Sequence, residues 1–248
     1  MSKQRVIFMS VILVGVIGTE SVKSQNIAKE TVLAKDGKPI DFYFIKHGSV
    51  YFTYDDFVFY VDPVSYPNVD YTQLPKADYI LITHDHYDHF DTNVVEIISK
   101  KTTTIICNEV VKNKLNRECT ALKNGEGRGN TIVNGVITIE AFPAYNTTAG
   151  REIYHPKDRD NGYLVTVGGT CIYFAGDCED MPEMKEIGSV DVAFLPVNQP
   201  YTMTVKQAIN AAKMIKPKIL FPYHYGDTDL KDLEVLNEKG IKVIIKPM

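Results

Sequence analysis

Aromatic and β-branched side chains crowd residues 41–64, and the turn-forming pairs His47-Gly48 and Asp55-Asp56 break the run. That pattern predicts three consecutive antiparallel strands. The apolar run 79–82 predicts a buried strand. A short helix over 93–100 follows, capped by Asp91 or Thr92, then a strand over 103–107 and a helix over 109–116. The second half repeats this grammar without clear sequence identity. Residues 131–142 and 162–174 read as strands with turns at Asn134-Gly135 and Gly168-Gly169. A strand over 190–194, a helix over 205–215, a strand over 218–221, a helix over 229–239 and a strand over 241–245 complete the chain. Strands first and alternating units after, given twice, predict an α/β fold: an αββα sandwich, two mixed β-sheets packed face to face with helices outside.

The densest chemistry directly follows the run 79–82. Thr83 to Asp91 reads T-H-D-H-Y-D-H-F-D, so His84, His86, Asp88 and His89 fall within six positions, and this segment holds half of the chain's 6 His. Imidazole with carboxylate suits zinc and its first-row neighbours. On an extended stretch His84 and His86 point to one side and can grip one ion. Asp88 and His89 lie where the chain turns towards a helix and can reach a second. Burying such a cluster without metal or charge partners would be costly.

Length and composition narrow the class. A chain of 248 residues, 44% hydrophobic and 23% charged, suits one soluble domain with a sizeable core. A net charge of -4 argues against a nucleic-acid groove. Residues 1–24 read as a signal peptide: Lys3 and Arg5, a short apolar stretch over 6–18, then Val22-Lys23-Ser24 with small residues where a signal peptidase reads. Cleavage after Ser24 leaves one domain over 25–248 with 24 basic and 30 acidic residues, a net charge of -6. The expected location is periplasmic or extracellular, with no stable membrane span after cleavage; an uncleaved anchor is the alternative. Cys107, Cys119, Cys171 and Cys178 are read as free or partly buried thiols with no obligatory bridge. Gly125, Gly127 and Gly129 read as a flexible turn, because their spacing does not match a phosphate-cradling loop.

The order H-x-H-x-D-H, then A-G-D at 175–177, then P-Y-H-Y-G at 222–226, resembles the metallo-β-lactamase fold superfamily of metal-dependent hydrolases. Y-V-D-P-V-S at 60–65, L-P-K-A-D at 74–78 and Y-T-M-T-V-K-Q-A at 201–208 are similar to the small single-domain group that includes L-ascorbate-6-phosphate lactonase. The resemblance implies two divalent metal ions, zinc first, with manganese, iron or nickel served by the same ligands. It makes Asp177 the carboxylate bridging both ions and His224 a ligand of the second. It also implies catalysis by a metal-activated hydroxide, with Asp88 and Asp177 holding the geometry and Asp88 orienting the attacking water. After the strand ending at Phe142 many relatives place a His, where this chain reads Pro143-Ala144-Tyr145-Asn146. His155 or Asn146 is then left to close the first site. His47 is given a role behind the ligands or facing the substrate, with simple packing as the alternative, and Asp91 a hydrogen bond to a ligand imidazole. Tyr145, Arg159 and Tyr201 are candidates to steady an oxyanion or a phosphate.

The expected activity is hydrolysis of a small ester, lactone or phosphoester. A β-lactamase and a metal-holding, non-catalytic binding protein are the alternatives, and a nuclease is a distant one. The sequence leaves the oligomeric state open.

Overall fold

A computed structural model describes residues 27–124, 131–132 and 137–248. The leader, the glycines at 125, 127 and 129, and the Asn134-Gly135 turn lie outside the described residues.

Two seven-stranded sheets form, each in chain order. The first holds β1 (Ala28–Leu33), β2 (Pro39–Lys46), β3 (Ser49–Tyr54), β4 (Phe57–Val61), β5 (Tyr79–Leu81), β6 (Thr104–Cys107) and β7 (Thr120–Ala121). The second holds β8 (Thr131–Ile132), β9 (Ile137–Ala144), β10 (Asp160–Val167), β11 (Thr170–Phe174), β12 (Val192–Pro196), β13 (Ile219–Tyr223) and β14 (Lys242–Val243). In both, the first four strands pair antiparallel and the remainder pair parallel. The inner faces meet through aromatic rings: Phe42 lies 5.4 Å from Phe194 and 5.7 Å from Phe221, and Phe52 lies 5.8 Å from Phe174. Such pairs add to the burial of large apolar area that holds the layers together.

Helices cover the outer faces. α1 (Thr92–Ile98) buries Val94, Val95 and Ile98 against the first sheet. α3 (Val205–Ile215) follows α2 (Glu109–Lys112) in the chain and buries Ala208, Ala211, Ala212 and Ile215 against the second sheet. Thr204 and Gln207 form a reciprocal capping box at its start, satisfying amides that a helix leaves unpaired.

Four details differ from the expected elements. β1 was not foreseen, because its alternation of half-buried and exposed residues in A-K-E-T-V-L is too polar to stand out. The helix at 109–116 stops after one turn, where Asn113 caps it. The segment Lys231–Lys239 winds as 3₁₀ turns, not as an α-helix. The strand at 131–142 begins anew at Ile137 and runs on to Ala144.

Candidate metal centre

The parallel strands deliver their loops to one edge of the sandwich, and the chemistry collects there, as it does at the carboxyl ends of strands in α/β folds. β4 leads into Asp62, β5 leads into His84–His89, β11 leads to Asp177 and β13 leads to His224. Two of these positions, and His47 after β2, are held in left-handed backbone: Asp62 at φ 45°, His224 at φ 48° and His47 at φ 56°. Non-glycine residues bear such strain where the surroundings over-determine them, commonly at functional sites. The backbone N–H of His224 donates to the His47 carbonyl at 2.9 Å, tying two of the loops together.

Two glycines make room for this convergence. A side-chain carbon on Gly48 would stand 2.7 Å from the His89 ring. One on Gly176 would stand 2.8 Å from the Asn161 carbonyl, and Gly176 itself has φ +65°, a conformation that glycine adopts freely.

Candidate ligand atoms gather in overlapping groups. His84, His86 and His155 form one, His47, Asp88, His89 and His224 another, and His84, His89 and Asp177 a third; within each group the atoms lie within 4.8 Å of one another. Asp177 sits between them. Its carboxylate is 3.3 Å from His89 Nε2, 3.5 Å from His155 Nε2 and 3.2 Å from His224 Nε2. Asp88 stands 3.1 Å from His47 Nε2 and 3.6 Å from His224 Nε2. Arg159 Nη2 lies 3.3 Å from His86 Nε2.

The imidazoles are gripped from behind. His89 Nδ1 meets the Asp62 carboxylate at 2.8 Å, His84 Nδ1 meets the Thr83 hydroxyl at 2.9 Å, and His155 Nδ1 meets the Asp160 carboxylate at 3.3 Å. Asp62 is fully buried and also accepts from the Thr83 backbone and hydroxyl, both at 2.7 Å. A hydrogen-bonded chain therefore runs His84–Thr83–Asp62–His89 and links the clusters. Asp160 is held at 2.8 Å by both Arg159 Nε and Nη2, with Asn108 Nδ2 at 3.4 Å.

This wiring leaves His84 Nε2, His89 Nε2, His224 Nε2 and Asp177 Oδ1 buried and without hydrogen-bond partners among the described residues. Buried polar atoms are otherwise almost always paired, so lone pairs converging from several imidazoles and a carboxylate fit divalent cations. The electrostatics show how strongly these groups act on one another. Burial first, then the neighbouring imidazoles, holds His84 well below its ordinary value. Against the penalty of burial, Asp177 and Asp62 hold His89 well above it. Burial would raise Asp177, but His224 and His89 more than offset this and hold it well below the carboxylate range.

Of the residues read from the sequence, His47, His84, His86, Asp88, His89, His155, Asp177 and His224 are brought together here. Tyr201 is exposed at the mouth of the cavity above them. Four others are placed differently. The Asp91 carboxylate caps α1 through Asn93 N and Val94 N and accepts from Ser65; the carboxylate behind a ligand imidazole is Asp62 instead. The Tyr145 hydroxyl turns away to donate to Glu183 at 2.8 Å. Arg159 spends its guanidinium on Asp160 rather than on the open cavity. Asn146 Nδ2 donates to the Arg151 and Tyr201 carbonyls, so this side chain braces the loop that carries His155. Asp62 and Asp160 were missed. The signal for Asp62 was its place at the end of an apolar strand, the same signal that marks Asp177; nothing in the pattern separates Asp160 from a turn residue.

Comparison with known proteins agrees with this geometry. The β-lactamase superfamily domain matches residues 41–224. A UPF0173 metal-dependent hydrolase from Archaeoglobus fulgidus is 33% identical over 189 residues, covering 69% of this chain and 80% of that protein. One from Nanoarchaeum equitans is 31% identical, covering 69% and 83%. A solved structure from Parabacteroides distasonis, described as a candidate metal-dependent hydrolase, is 50% identical, covers 90% of this chain and 99% of that one, and superposes with a TM-score of 0.84. A metallo hydrolase from Ignicoccus hospitalis shares the fold at a TM-score of 0.69 and 22% identity, over 84% of this chain and 95% of that one. The chain belongs to the β-lactamase superfamily and, within it, to the UPF0173 metal-dependent hydrolases.

Proposed function

We propose that this metal-dependent hydrolase holds two divalent cations, zinc first, and cleaves a small ester, lactone or phosphoester that carries an anionic group. The observation that carries the two-ion reading is the sharing of Asp177 between the His84-His86-His155 side and the His89-Asp88-His224 side. When bound, such ions supply Lewis acidity and a nucleophilic oxygen near neutral pH. The chain's own residues do the rest. Asp88 is fixed between His47 and His224 and faces the cavity, where it can orient a water. Burial opposes ionisation of Asp88, but His224 and His47 hold its carboxyl far below the ordinary value, so it stays an acceptor.

The cavity above the cluster is about 590 Å³, the size of a small-molecule site. Tyr87, Tyr154 and Tyr201 stand around it with Lys46 and Asn198. The Lys46 ammonium lies 5.9 Å from the Tyr66 ring centre. It is exposed on the cavity wall, where it can meet a carboxylate or phosphate on the substrate. The chain's acidic balance supports a small molecule over nucleic acid. Loading the protein with zinc and screening chromogenic esters, lactones and phosphoesters, with a cephalosporin in the same panel, tests the reading. Turnover confined to the cephalosporin, or none on any of them, would contradict it.

Export is proposed on the basic start, short apolar stretch and small residues at Val22 and Ser24. No helix among the described residues is long and apolar enough to cross a membrane. An exported protein beginning at Gln25 supports this proposal, and one beginning at Met1 contradicts it.

A further inference from the structure

Away from the cavity, two thiols face each other. Cys107 ends β6 and Cys119 immediately precedes β7, its parallel neighbour in the sheet. Their sulfurs are 3.5 Å apart. Both are present as free thiols, Cys107 buried and Cys119 half-buried. A disulfide needs the sulfurs at about 2.05 Å, so they must approach by only about 1.5 Å. Cys171 and Cys178 have no comparable partner among the described residues: one is on β11, and the other lies beside Asp177 in the second core cluster.

The location gives the pair consequences for the metal centre. Asn108 follows Cys107 directly and caps α2. Its side-chain amide donates to the Thr83 carbonyl at 3.3 Å, the Arg159 carbonyl at 3.1 Å and Asp160 Oδ1 at 3.4 Å. Thr83 and Asp160 are the groups behind His84 and His155. The strand end that carries Cys107 therefore also braces the histidine supports from outside.

We propose that Cys107 and Cys119 are an oxidisable pair that closes a disulfide when a disulfide-type oxidant is present, locking residues 107–119 behind the metal centre. The half-buried Cys119 sulfur, as thiolate, attacks one sulfur of the oxidant and expels a thiolate. Cys107, having given up its proton, then attacks the Cys119 sulfur of the mixed disulfide and expels the second thiolate. Two protein thiols lose two protons and two electrons, and one oxidant disulfide becomes two thiols. Burial, with Cys119 alongside, pushes the Cys107 thiol up, so the second step is the slower one and closure takes minutes to hours. A bridge over so short a loop restricts the unfolded chain and raises Tm.

The test uses the full chain, purified reduced and then treated with oxidised glutathione. Thiols counted in denaturant should fall from four to two. A digest should contain one linked pair of peptides carrying Cys107 and Cys119. Tm should rise by about 5–10 °C. Cys119→Ser and Cys119→Ala should each keep their remaining thiols, or hold glutathione, and show no rise. An unchanged count of four, a stable glutathione adduct on the unaltered chain, or a link between any other two cysteines would overturn the proposal.

Discussion

At the scale of single residues, the account turns on what stands behind the ligands. Asp62 accepts from both the Thr83 backbone and hydroxyl and from His89, so it fixes which nitrogen of His89 is bare. Replacing Asp62 by Asn keeps the shape and removes the charge. Metal affinity should fall about 10–100-fold, measured by competition with a chromophoric chelator; an unchanged affinity would show that Asp62 only fills space. Lys46 is an exposed residue on the cavity wall. Lys46→Met should lower the preference for mono-p-nitrophenyl succinate over neutral p-nitrophenyl acetate about tenfold, mostly in KM, and Lys46→Arg should retain it. The preference of the unaltered protein should fall as salt is added, because an exposed charge is screened. A preference indifferent to both would remove the anionic group from the proposed substrate while leaving hydrolysis in place. These supports were largely illegible in the sequence. The H-x-H-x-D-H spacing announces ligands because they are contiguous. Asp62 and Asp160 act through partners 27 and 5 residues away, and no local pattern encodes that.

At the scale of elements, strand ends carry the ligands and loops carry the cavity. The order of strands was legible because apolar runs and turn pairs are local signals. Boundaries shifted where a cap or a tertiary contact decided them, as at α2 and at Lys231–Lys239. The loop between β9 and β10 was the least legible, although it brings His155 to the cluster. Glu179 is its anchor: buried at 0% exposure, it accepts from Thr147 N at 2.8 Å and Thr148 N at 2.6 Å and pairs with Arg151 at 3.2 Å. Burial alone would raise its carboxyl, but the Thr148 and Thr147 hydrogen bonds lower it overall. A depressed folded-state pKa gives stability that is present above the unfolded value of about 4.3 and is lost as pH falls through the folded value. The stability difference between the unaltered chain and Glu179→Gln should therefore be largest near neutral pH and shrink below about pH 4, read from urea midpoints. A difference that grows towards acid would contradict the sign. Thr204→Ala, which removes the capping box of α3, should cost about 1 kcal/mol in the same measurement.

At the scale of the whole molecule, two similar half-sandwiches press aromatic faces together and bring one edge of each sheet to a shared centre. The fold class was legible because the same grammar of strands then alternating units occurs twice. The joining of its two halves across Asp177 was legible only through the family resemblance, since residues 84–89 and 177 meet only through the packing of the sheets. Metal that binds only the folded chain stabilises it by mass action, by about 2.7 kcal/mol at a hundredfold excess over Kd. Chelation should therefore lower Tm, and zinc should restore it. The most direct test of the centre is metal content per chain after gentle purification, by mass spectrometry, on the unaltered protein and on His155→Ala. The expected result is about two ions for the unaltered chain and about one for the variant. One ion or none in the unaltered chain, or an unchanged content in the variant, would contradict a two-ion centre built across Asp177.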